Sequence, residues 1–187
     1  GTHVGGLYRS ANQINNWIPL SKSSGTDNLP VDDIYSIVVG ATGTILVADG
    51  TGLYGEVFRS TDVGNTWQSV LKPTYGVYNL AAGTAGNFYA AGAAWFYNSF
   101  NDGSTWNWKG SSSGLANAPI VLAASDQHYV FAGTSGGGVF LSTNDGDNWS
   151  AVNTNLTNKY ITALAIDDTT IYAGTNGGGV FQSVDNG

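Results

Sequence analysis

Ser60-Thr61-Asp62-Val63-Gly64-Asn65-Thr66-Trp67 is the stretch from which the fold of this chain is read. The same figure returns as Ser99-Phe100-Asn101-Asp102-Gly103-Ser104-Thr105-Trp106 and as Ser142-Thr143-Asn144-Asp145-Gly146-Asp147-Asn148-Trp149. A degenerate copy, Ser10 to Trp17, stands near the start, and Ser183-Val184-Asp185-Asn186-Gly187 closes the chain. Each octapeptide follows a short apolar pair (Leu7-Tyr8, Val57-Phe58, Phe96-Tyr97, Val139-Phe140, Val180-Phe181) and leads into a mixed run such as Gln68-Ser69-Val70-Leu71. That order is strand, tight turn, strand, so the octapeptide is a hairpin connection. Asp or Asn at its third position can accept hydrogen bonds from turn N–H groups. Gly64, Gly103, Gly146 and Gly187 stand where a positive φ would cost any other residue. The closing Trp re-enters the sheet with a large ring to bury.

The leading serines fall at 10, 60, 99, 142 and 183, which gives steps of 50, 39, 43 and 41 residues. A period near 40 with four short strands per unit is the signature of propeller blades rather than helical repeats. Each full unit opens on an apolar inner strand (34–39, 77–82, 120–124, 161–166). A turn leads to a second strand, a link to a third, the octapeptide follows, and its Trp begins the fourth. The expected organisation is one domain over 1–187: a partial blade at 1–31, blades at about 32–76, 77–118 and 119–159, and a partial blade at 160–187. Glycine is abundant, at 27 residues, and no amphipathic helical window interrupts the pattern, so the chain reads as all-β.

The pattern Ser/Thr-x-Asp/Asn-x-Gly-x-Thr/Asn-Trp resembles the Asp-box, or BNR repeat, of the sialidase-like β-propellers. The resemblance spans essentially the whole chain at the level of fold and none of any family's catalytic residues. It implies a hairpin role for Ser60, Asp62, Gly64 and Trp67, for Ser99, Asn101, Gly103 and Trp106, for Ser142, Asn144, Gly146 and Trp149, and for Ser183 and Asp185. A sialidase clamps its substrate carboxylate with three arginines. This chain has two, Arg9 and Arg59, both one residue before the octapeptide and so expected in corresponding places on two different blades. Xyloglucanase-like hydrolases of the same repeat class use two carboxylates, for which Asp32-Asp33 and Asp167-Asp168 are candidates and water-exposed turns the plainer reading. The photosystem assembly factors of this class are scaffolds with arginine-rich patches, which are missing here.

Composition narrows the remaining classes. Thirteen Asp and Glu face six Lys and Arg, for a net charge of −7. The cations Arg9, Lys22, Arg59, Lys72, Lys109 and Lys159 are scattered singly, so no patch tracks the phosphates of a nucleic acid. Cysteine is absent, which rules out disulfides and thiolate metal sites. Asn144-Asp145-Gly146-Asp147 lacks the rest of a calcium loop, and His3 and His128 are too far apart in sequence to suggest a pair. No metal and no cofactor is expected. The glycine-rich links 133–138 and 174–179 are not followed by the Lys and helix of a phosphate loop and read as permissive turns. Low Lys with plentiful Asn, Thr, Ser and Gly suggests a bacterial secreted or cell-surface protein. There is no membrane-spanning run, and a start at Gly1-Thr2 without Met suggests a processed, excised or partial chain.

What is left is an interaction or structural module with a protein or glycan partner, and the alternative is part of a propeller glycoside hydrolase. Aromatic residues outside the octapeptides, Trp95, Trp108, Tyr54, Tyr75 and Tyr78, are the candidate binding surface, with packing between blades as the competing role for the two tryptophans. Gly1-Thr2, Gly5-Gly6 and Ser10 match Gly174-Thr175, Gly178-Gly179 and Ser183 at a constant offset of 173 residues, so the third strand of a blade occurs once too often for simple closure. The expected outcome is either a slice of a larger propeller or a homo-oligomer or filament built through unpaired end strands.

Overall fold

The computed structural model describes all residues except 3–4, 11–15, 22–28, 51–54, 75, 93–94, 111–113, 116–118, 125–128 and 168–169. The architecture is all-β, a row of antiparallel sheets arranged as propeller blades. The chain opens with a two-stranded sheet, β1 (Tyr8–Ser10) and β2 (Trp17–Pro19). Three four-stranded sheets follow. The first is β3 (Ile34–Val39), β4 (Ile45–Asp49), β5 (Val57–Ser60) and β6 (Gln68–Leu71). The second is β7 (Val77–Ala82), β8 (Phe88–Gly92), β9 (Phe96–Ser99) and β10 (Asn107–Trp108). The third is β11 (Pro119–Ala124), β12 (Val130–Thr134), β13 (Gly138–Ser142) and β14 (Ser150–Ala151). A three-stranded sheet of β15 (Ile161–Asp167), β16 (Thr170–Thr175) and β17 (Gly179–Ser183) closes the chain.

Strands pair in sequence order within every sheet, as short turns between antiparallel neighbours dictate. The second strands β8 and β12 are buried at every position, because their sheets have a sheet on either side, whereas β16 of the last sheet is only partly buried. The glycine-rich links are hairpins: β12 pairs with β13 and β16 with β17 up to Thr134↔Gly138 and Thr175↔Gly179. Register slips by one residue near the start of each inner strand, at Ile34/Ser36, Val77/Asn79, Pro119/Val121 and Ile161/Ala163. The slip bends the strand and frees one side chain to face the neighbouring blade. Ser36 Oγ uses it to accept the Leu80 N–H at 3.0 Å, and Asn79 Oδ1 accepts the Leu122 N–H at 2.9 Å.

Among the described residues the core is four apolar clusters, one in each gap between successive sheets. Leu7, Leu20, Leu29, Val47 and Phe58 fill the first gap. Leu46, Ala48 and Val57 meet Leu80, Phe88 and Ala90 in the second. Tyr89 and Phe96 meet Leu122, Val130, Phe140 and Trp149 in the third, and Phe131 and Val139 meet Ile161 and Ile171 in the last. Trp149 is buried edge-on against Phe96, ring centroids 5.2 Å apart at 84°. Trp149→Ala is expected to destabilise the fold by about 3–5 kcal/mol through lost burial and the cavity left behind. Chemical denaturation of the two proteins checks it.

Candidate functional site

The octapeptide turns show what the acidic residues are for. In the first full copy, Ser60 Oγ accepts the Gly64 N–H at 2.8 Å and donates to Asp62 Oδ1 at 2.8 Å. The same Oδ1 accepts the Thr66 N–H at 2.8 Å, and Asp62 Oδ2 accepts the Thr66 hydroxyl at 2.6 Å. The Trp67 Nε1–H donates to the Gly64 carbonyl at 3.1 Å. Ser99 and Asn101 repeat the arrangement around Gly103 and Thr105, and Ser142 and Asn144 repeat it around Gly146 and Asn148. In the last copy Ser183 bonds Asp185 and Gly187 at 2.7 Å each. The glycines have φ of 84°, 76°, 89° and 113°. The residue before each glycine is left-handed too: Val63, Asp102, Asp145 and Asn186 have φ between 57° and 68°. Asp and Asn tolerate that region, whereas β-branched Val63 is an outlier there, and the sequence gives no sign of it.

That second left-handed residue turns its carbonyl toward the preceding blade, where the residue just before the octapeptide reaches it. Arg9 donates to the Val63 carbonyl, Arg59 Nε to the Asp102 carbonyl at 2.6 Å, and Asn98 Nδ2 to the Asp145 carbonyl at 2.8 Å. Arg9 and Arg59 therefore hold corresponding places on different blades and share no pocket. Arg59 also pairs with the Asp102 carboxylate at 3.1 Å, which takes further hydrogen bonds from Thr42 and Thr44. In the next gap the Tyr89 hydroxyl takes the role of those threonines, donating to Asp145 Oδ1 at 2.6 Å. Burial, and then this bond, push the Tyr89 hydroxyl well above the usual phenol range. For Asp102, burial raises the carboxyl, but the bonds from Thr42, Thr44 and Arg59 outweigh it and hold the group below its ordinary value.

At the opposite end of the blades, where inner strands begin, the surface is aromatic. Tyr35 and Tyr78, second residues of β3 and β7, have ring centroids 5.9 Å apart, and Tyr160 stands exposed just before β15. Glu56 at this end is bound by Lys72 at 2.8 Å and by Ser69 at 2.7 Å; burial raises its carboxyl, but these bonds bring it below the ordinary value. Trp108 lies on the outer strand β10 and is 68% exposed. Trp95 is buried in the second gap, edge-on to Tyr97 at 5.1 Å, and offers no surface. Tyr54 and Tyr75 lie outside the described residues. Asp32 and Asp33 precede β3 while Asp167 ends β15, so the two acidic pairs sit at opposite ends of their inner strands; Asp168 lies outside the described residues. Among the described residues no group of three or more His, Cys, Asp or Glu could hold a metal ion. No helix among them is long and apolar enough to cross a membrane.

No family model matches the sequence. No curated protein matches it either. Solved structures do. YCF48 from Cyanidioschyzon merolae is 18% identical with a TM-score of 0.63, over 82% of this chain and 53% of that one. The GH74 xyloglucanase from Xanthomonas campestris is 17% identical with a TM-score of 0.71, over 92% and 31%. The extracellular domain of BT4673 from B. thetaiotaomicron is 19% identical with a TM-score of 0.73, over 96% and 25%. At these identities the likeness is one of fold, a β-propeller, and the chain spans between a quarter and about half of these structures.

The turn geometry also sets a pH dependence. Hydrogen bonds from the Thr66 hydroxyl and N–H, then from Ser60, lower the Asp62 carboxyl from 3.8 to about 2. A depressed carboxylate contributes stability above its unfolded value and loses it as pH falls through the folded one, here between about pH 4 and pH 2. Asp62→Asn, the residue already used at 101 and 144, is expected to fold and to show a smaller drop in melting temperature across that window. Thermal melts from pH 7 to pH 2 compare the two proteins.

Proposed function

We propose that this chain is a non-enzymatic Asp-box propeller module, extracellular or on the cell surface, which holds a protein or glycan partner on the aromatic end of its blades. The observation that carries the reading is how the carboxylates are used. Asp62, Asp102, Asp145 and Glu56 are engaged in turn hydrogen bonds, blade-to-blade ties and a lysine pair, while Tyr35 and Tyr160 lie open where inner strands begin. Flat rings with a polar edge suit both sugar rings and extended peptide. The propellers of similar fold support the reading in kind: one solved structure is YCF48 bound to D1 peptide, and another is an extracellular domain.

The second reading is part of a glycoside hydrolase, favoured by the fold likeness to GH74 enzymes, of which this chain spans 24–31%. Its catalytic residues would then be incomplete in these 187 residues. A panel of glycans and extended peptides, run beside a reducing-sugar assay on xyloglucan, separates the two. The expected result is binding without sugar release, weakened at least tenfold in the Tyr35→Ala, Tyr160→Ala double variant with its melting temperature unchanged. Release of sugar by the parent chain would replace this reading with the second.

A further inference from the structure

Because the sheets repeat, each serves as a control for the others. Glu56, Trp95 and Gly138 stand four residues before the octapeptide serines of the three four-stranded sheets. Their counterparts on the second strands are Asp49, Gly92 and Thr134: the Asp49 and Gly92 N–H groups donate to the Glu56 and Trp95 carbonyls at 2.9 and 3.2 Å, and Thr134 pairs with Gly138. In the second sheet the Trp95 ring lies against Gly92, where a Cβ would collide with it, and is buried edge-on to Tyr97. In the third, Gly138 leaves the place to the Asn153 side chain, which accepts the Val139 N–H at 2.8 Å and donates to the Gly137 carbonyl at 3.0 Å. The first sheet puts two carboxylates at this place instead. A Trp at 56 needs a Gly at 49, so the two differences go together.

The result is a cleft of about 450 Å³ beside the first four-stranded sheet, a size within the range of small-molecule sites. Phe58 and Trp67 give it an apolar side, and Asp49, Glu56, Ser69 and Lys72 a polar one. Pro30 and Val31, from the connection leading to β3, contribute the rest of its described wall. Phe58 is 4% exposed and Asp49 7%, so both are built into the gap, while Lys72 stands mostly exposed at the rim. Glu56 is held in place by Lys72 at 2.8 Å and by the Ser69 hydroxyl at 2.7 Å. A cation entering here meets Lys72, and an anion meets both carboxylates. The set suits an uncharged ligand whose groups both give and take hydrogen bonds and whose carbon skeleton has a flat apolar face.

We propose that this cleft binds a neutral sugar residue, its C–H face on Trp67 and its hydroxyls on Asp49, Glu56 and Lys72. Hydroxyl donors to ionised carboxylates make the strong kind of hydrogen bond, and a carboxylate already fixed by two partners loses little freedom in making one more. The site goes beyond the partner proposed for the aromatic rings. It uses neither Tyr35 nor Tyr160 and stands whether or not those rings have a partner.

Titration calorimetry tests it, with the methyl glycosides of glucose, galactose, mannose and xylose and with cellobiose as probes, and glucosamine and glucuronate as charged controls. One-to-one binding of at least one neutral probe at millimolar concentration is expected, tighter than either control. Glu56→Gln keeps the shape, removes the charge and is expected to weaken binding at least tenfold. Asp49→Gly with Glu56→Trp copies the second sheet, fills the cleft and is expected to abolish binding; should that variant fail to fold, Glu56→Gln decides alone. The Tyr35→Ala, Tyr160→Ala double variant is expected to bind these probes as the parent does. Absence of binding by every neutral probe would overturn the proposal, as would tighter binding of a charged control or binding indifferent to Glu56→Gln. A loss confined to the tyrosine variant would also overturn it, since the sugar would then sit on the aromatic end, and would leave the reading of that end standing.

Discussion

One hydroxyl holds each turn from two sides. The octapeptide serine accepts a buried glycine N–H four residues on and donates to the carboxylate or amide two residues on. The first bond closes the loop, and the second aims the acceptor that fixes the next backbone N–H. Because the serine oxygen is shielded, an unmet N–H there would carry its full desolvation penalty. With the loop closed, the Trp leaves the turn at one fixed place, which is where the preceding blade has its apolar seat. The hairpin hydrogen bonds and the packing between sheets are thus one device.

From that device follows the economy of charge in the molecule. The gaps between the sheets are filled by apolar side chains, and the carboxylates that bridge them stand in the octapeptide turns. Asp102 and Asp145 project from left-handed positions toward the preceding blade, where Arg59 or Tyr89 waits. Their carboxylates are structural acceptors in partly shielded surroundings. The acidic residues of these turns are fasteners, both within the hairpin, as Asp62 is, and between blades, as Asp102 and Asp145 are.

Much of this was legible in the sequence, because the repeat announces itself at short range. Strand order, turn glycines and the inner strands at 34–39 and 77–82 all follow from local pattern and agree with the pairing observed. Arg9 and Arg59 align in the repeat, yet the groups they grip lie 54 and 43 residues away, beyond any local rule. Trp95 and Trp108 look alike as letters outside the repeat. One is tucked under Tyr97 in a gap and the other stands on a solvent-facing outer strand, a difference that only the stacking of sheets creates. The left-handed Val63 was hidden for another reason, since a β-branched residue argues against the conformation the turn imposes on it.

The blades are held to one another unevenly. Where Ser36 and Asn79 receive the backbone of the next inner strand, the third full sheet offers Val121, and where Arg59 and Asn98 reach the next turn, it offers Leu141. Neither side chain can make the bond, so at both positions the last gap relies on apolar contact alone. In a stack whose members touch only their neighbours, stability is a sum of nearest-neighbour couplings. At these positions the gap before β15–β17 has fewer side-chain ties than the three gaps before it, although the backbone bonds from Gly136 and Gly138 to the Lys159 carbonyl still join the sheets. Amide exchange is therefore expected to be faster in β15–β17 than in the full sheets.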